Sequence, residues 1–126
     1  MSQEYIAGSC NIGKGEVRRR QIVALAGAFF SVFALAGLAG SDAAPSARLA
    51  LFIPLFVFAI GFIQSRKKFC LAYGFMGTFN FGKLGQISRV SDPIAKKADR
   101  KTAIIILAQS TALALGLTLA TLALPL

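Results

Sequence analysis

The chain has 126 residues, 56% of them hydrophobic and 15% charged, with fourteen Lys and Arg against five Asp and Glu and no histidine. A soluble domain of this length has too little interior for so much apolar surface, so the composition excludes an ordinary water-soluble domain and points to a bilayer. The missing imidazole removes the usual axial ligand of haem, a common zinc ligand and the commonest general base near neutral pH, so no cofactor, metal site or catalytic residue is expected.

The chain reads as a single integral membrane domain over 1–126, opening with a polar segment, 1–19. Within it "GSCNIGKG", residues 8–15, matches all but the last position of the phosphate-cradling G-x-x-x-x-G-K-[ST] pattern. The final hydroxyl that would hold magnesium is replaced by Gly15, and no pattern of a parallel sheet follows, so the motif is read as a glycine-punctuated lead into a helix. Ser9 or Asn11 is the expected cap, and Glu16 lies near the positive end of the helix.

The first apolar block, 21–40, carries no charge over twenty residues, and at about 1.5 Å per residue this matches a hydrocarbon thickness of about 30 Å. With its basic prelude "RRR" it resembles a leader in pattern, and it is read as a retained anchor spanning about 20–40. The second block is apolar over 49–63, and its helix is expected to begin near 43, with Ser41 or Asp42 as cap and Pro45 in the first turn. Arg48 is expected to snorkel to the headgroups and Pro54 to bend the span.

The connector 65–92 contains "RKKFCLAYGFMGTFNFG", nearly as apolar as a span but rich in glycine. Gly74, Gly77, Gly82 and Gly85 disfavour a lipid-exposed helix, because each costs about 1 kcal/mol in a helix interior. The segment is therefore placed at the membrane interface as a connector with aromatic anchors. Its candidate role is a docking or ligand-contacting loop comprising Gly74, Gly77, Asn80 and Cys70, joined by Cys10 and Asn11 from the N-terminal segment. Both thiols are expected to be reduced on the cytoplasmic side. The third span, about 93–124, has the clearest start, with Asp92 as cap, Pro93 at the first helical position and about two turns standing out of the membrane.

The fold class is thus an all-α membrane protein with three spans. Four of the fourteen cations precede the first span, one lies between the first and second, and nine lie between the second and third. The bias toward one side sets the N-terminus in the cytoplasm and the C-terminus outside, as in a bacterial inner membrane. The same cations, Arg18, Arg19, Arg20, Arg66, Lys67 and Lys68, with "KKADRK" at 96–101, are expected to face anionic lipid, each gaining about 1 kcal/mol; nucleic acid is not an expected partner.

None of the five acids lies within an apolar block, which argues against a proton relay. Small residues recur every fourth position at Ala108, Ala112, Gly116 and Ala120, and at Gly27 and Ser31, a spacing that lets helices approach closely. Thr118 is placed away from that stripe. Two functions follow: a non-catalytic accessory or assembly subunit of a larger membrane complex, with other subunits and lipid as partners, or a homo-oligomeric small channel or transporter.

Overall fold

The structure is a computed structural model, and it describes residues 5–82 and 87–125. Glu4, Lys83 and Gly85 lie outside the described residues. Helix α1 runs Lys14–Ala39; a 3-10 turn, Pro45–Leu51, leads into α2, Phe52–Lys67; a short α3, Leu71–Met76, and two two-residue strands, β1 Thr78–Phe79 and β2 Ser88–Arg89, precede α4, Pro93–Leu122. The strands pair antiparallel, Thr78 with Arg89 and Phe79 with Ser88. Three helical stretches are long and apolar enough to cross a membrane: Lys14–Ala39, Pro45–Lys67 and Pro93–Leu122. The protein is an all-α, three-span membrane protein.

Local chemistry explains most of the boundaries. Asp92 accepts a hydrogen bond from the Ile94 backbone at 3.1 Å and Pro93 opens α4, as expected for a capped start. At thirty residues α4 is about 45 Å long, against a hydrocarbon thickness of about 30 Å, so its cationic first turns stand clear of the apolar run. Helix α1 starts instead after Gly13 with no side-chain cap, so neither Ser9 nor Asn11 caps it; Asn11 is engaged elsewhere. Nor do Ser41 and Asp42 cap the second span, whose 3-10 turn begins behind Ala44 with Pro45 in its first turn. Pro54 lies just after the change of helix type at Leu51/Phe52. It falls in the first turn of the α-helix, where a missing N–H removes no interior bond.

Helix α2 lies between α1 and α4 and packs along both. The α1–α2 seam is close because glycines face backbone. A Cβ added to Gly27 would lie 2.8 Å from Phe58 Cα and 3.0 Å from Pro54 O, and one added to Gly61 would lie 2.7 Å from Ala24 N. Ser31 is buried on the same seam and donates to Gly27 O at 2.7 Å. This half of the small-residue expectation therefore describes a contact within the chain.

The stripe on α4 does not. Ala108, Ala112, Gly116 and Ala120 are all exposed, and a Cβ on Gly116 would meet nothing within 4 Å. The packed face is Asp99, Ala103, Ile106, Ser110, Ala114 and Thr118, all buried, with Thr118 only 1% exposed. These residues also recur every third or fourth position, and they are the ones turned toward α2 and α3. Thr118 does lie away from the small-residue stripe, as expected, and it is this opposite face that packs within the chain.

Arg48 also departs from expectation. It is buried, and its guanidinium donates to the carbonyls of Thr121 at 2.9 Å and Leu124 at 3.0 Å. The last carbonyls of a helix have no intrahelical partner and carry partial negative charge, so a buried cation there is stabilised in place. It closes the end of the bundle away from the connector.

Candidate functional site

At the other end, residues 5–13 fold back across the connector and the start of α4. A left-handed residue makes this possible. Lys68 ends α2 at φ 53°, ψ 44°, a conformation that costs a side-chain-bearing residue about 1 kcal/mol or more. The turn sends Phe69 into the core against Ala103 and Ile106 and presents the Cys70 backbone to the N-terminal segment. Asn11 then holds Cys70 at both backbone groups, donating to its carbonyl at 3.1 Å and accepting from its N–H at 2.7 Å. Its own backbone N–H reaches Lys68 O at 3.2 Å.

A second backbone link runs to the connector. Asn80 N–H donates to Asn11 O, and Gly13 N–H donates to Asn80 O, both at 2.9 Å, so 11–13 and residue 80 form a parallel bridge. Gly74 and Gly77 serve this fold. A Cβ on Gly74 would lie 2.8 Å from the Phe69 ring and 2.9 Å from Asp99 O, so only glycine lets α3 sit down on α4. Gly77 ends α3 at φ 70° and its carbonyl accepts from Val90 N–H at 2.8 Å. The connector thus holds a six-residue helix despite its glycines, because Gly74 faces protein and not lipid.

Beneath this layer lies a buried polar cluster. Glu16 is 1% exposed and accepts hydrogen bonds from the Tyr73 hydroxyl, from Asn80 Nδ2 at 3.3 Å and from Arg20 at 2.7 Å. The Arg20 guanidinium also donates to Cys70 Sγ at 2.9 Å and lies over the Tyr73 ring, 5.8 Å from its centroid. A carboxylate out of water is tolerable only when its lone pairs are taken and its charge is matched, and here both conditions hold. Burial, followed by the hydrogen bond to Glu16, pushes the Tyr73 hydroxyl up to about 12, so it stays a neutral donor.

Asp99 on α4 forms the second polar anchor. It is fully buried and accepts from the Tyr5 hydroxyl and from Gly8 N–H at 2.7 Å, while Thr102 donates to Gly8 O at 2.6 Å. Burial and then the Asp99 hydrogen bond raise the Tyr5 hydroxyl well above its ordinary range. Tyr5 also stacks on Phe79 with ring centroids 4.9 Å apart.

The candidate loop residues Cys10, Asn11, Cys70, Gly74, Gly77 and Asn80 therefore do gather at one end of the bundle. Cys10 and Cys70 are both free; the Cys10 thiol points to Ile12 O at 3.7 Å, and Cys70 is 3% exposed. Among the cations expected to face lipid, Arg18, Arg19, Arg66, Lys67 and Lys68 are exposed, as are Lys96, Lys97, Arg100 and Lys101, but Arg20 is drawn inward by Glu16. The sequence reading missed the Glu16–Arg20–Tyr73 and Tyr5–Asp99 anchors. One signal was present, since Glu16 and Arg20 are spaced i, i+4 in the favourable order at the head of an apolar helix. Comparison with protein-family models, with curated proteins and with solved structures gives no match to this chain.

Proposed function

We propose that the chain is a non-catalytic accessory or assembly subunit of a larger membrane complex, seated in a bacterial inner membrane with its N-terminus in the cytoplasm and its C-terminus outside. The observation that carries this reading is the division of labour on α4. One face is occupied by α2 and α3, while Ala108, Ala112, Gly116 and Ala120 lie on the outer face with open space around Gly116. Small residues at that spacing suit the approach of a second helix, since helix association in lipid depends on close van der Waals contact.

Two further features support it. The apolar windows of the three spans are only 17%, 22% and 28% buried, so the unit has little interior and much surface to offer. Glu16 and Asp99, the two acids buried among the described residues, each have their oxygens engaged by residues of the same chain, a structural use. The test is extraction in mild detergent followed by native mass spectrometry. Unrelated subunits that copurify with the native chain and are released by Gly116→Leu support the proposal. A closed ring of identical chains favours the homo-oligomeric channel or transporter, and a monomer carrying only lipid overturns both.

A further inference from the structure

The outer face of α4 carries a second feature nearer its N-terminus, a groove of about 620 Å³ lined by Ile94, Lys97, Arg100, Lys101, Ile104 and Ile105. We infer that this groove is a binding site for one anionic phospholipid, with its phosphate among Lys97, Arg100 and Lys101 and its acyl chains against Ile104 and Ile105. Three arguments converge. The first is charge: all three cations are exposed, while the neighbouring acids are used elsewhere, Asp99 by Tyr5 and Gly8 on the opposite, buried face and Asp92 by the Ile94 backbone. Among the described residues, three cations and no carboxylate line the groove.

The second is depth. From Lys97 onward the cations precede the exposed Ile104 and Ile105, which begin the apolar run, so along this stretch polar and apolar parts follow one another in the order of a phospholipid. The third is continuity. At about 100° per residue, Ile94, Lys101 and Ile105 lie on one side of the helix, so the cationic and apolar parts of the groove share a single face. Of the cations at 18–20 and 66–68, Arg20 is already bound to Glu16 and Arg66 lies over the Phe62 ring, 6.0 Å from its centroid. This inference does not depend on the partner helix proposed above.

The test uses the full chain in nanodiscs of mixed phosphatidylglycerol and phosphatidylcholine, with retained lipid read by native mass spectrometry. The native chain should keep one phosphatidylglycerol in preference to phosphatidylcholine. The K97Q/R100Q/K101Q variant should weaken that retention by up to about 100-fold, at about fivefold per cation. R18Q/R19Q/K67Q removes the same charge elsewhere and should leave it intact, and millimolar inorganic phosphate should not displace the lipid. Ile105→Trp fills the groove without changing charge and should also expel the lipid, which keeps the test decisive should the triple variant fail to insert. Equal loss in both triple variants, an absent preference for phosphatidylglycerol, displacement by phosphate or unchanged retention in Ile105→Trp would each overturn the inference.

Discussion

Replacing Gly27 by Ala probes the tightest contact in the bundle. The added methyl would sit 2.8 Å from Phe58 Cα and 3.0 Å from Pro54 O, both backbone atoms that no rotamer change can move aside. Ordinary carbon contacts lie at about 3.5–4.0 Å, so α1 must withdraw from α2 by about 1 Å, and a gap of that size forfeits a quarter to a half of each neighbouring dispersion contact. Overpacking of this kind costs about 1–3 kcal/mol. Alanine returns up to about 1 kcal/mol of helix propensity, leaving a net loss of about 1 kcal/mol and at most about 2 kcal/mol. Gly37 supplies the control on the same helix, because a Cβ there meets nothing within 4 Å, and Gly37→Ala should be neutral or stabilising. Reversible unfolding in mixed detergent micelles, followed by circular dichroism, measures both. If Gly27→Ala is as stable as Gly37→Ala, the close α1–α2 approach is wrong.

Tyr73→Phe removes a hydrogen bond to a charged acceptor and should cost about 2 kcal/mol in the same assay. Because the Tyr73 pKa is raised from 10.0 to about 12 on folding, its contribution is fully present below pH 10 and is lost as pH climbs toward 12; the variant should lack that part of the pH dependence. Thiol labelling of the native chain should modify Cys10, half-buried, well before Cys70, which is 3% exposed; equal rates would mean the N-terminal segment does not cover the connector. A reporter fused to the C-terminus should read as non-cytoplasmic, and a cytoplasmic signal would refute the orientation drawn from the cations.

What could be read from the sequence is what depends on local chemistry. The three spans, the Asp92–Pro93 start of α4 and the Gly27/Ser31 contact all follow from residue type and spacing along one helix. What could not be read depends on where distant segments meet. Arg48 looked like a snorkelling cation because its partners, the carbonyls of Thr121 and Leu124, are over seventy residues away in sequence. Small residues recur on two faces of α4, and periodicity alone cannot tell which one packs. The buried anchors were hidden for the same reason. Glu16 and Tyr73 are 57 residues apart, Tyr5 and Asp99 are 94 apart, and nothing in either neighbourhood names the other.

The distribution of these anchors bears on what the protein is built to do. Apolar side chains do not hold one span against another strongly in lipid, since hydrocarbon solvates them as well as a neighbour does. A three-helix unit with largely exposed spans therefore needs fixed points, and it has them at both ends. Arg48 ties the second span to the last turn of α4, while Asn11, Glu16 and Asp99 tie the N-terminal segment to the connector and to α4. Between those ends, the close seam is α1 on α2, and the outer face of α4 is left smooth. An arrangement that spends its polar groups on holding its own ends together keeps that face in one position and orientation. That is what the partner helix and the lipid proposed above would each require, and substitutions at the anchors should then weaken such binding without touching it.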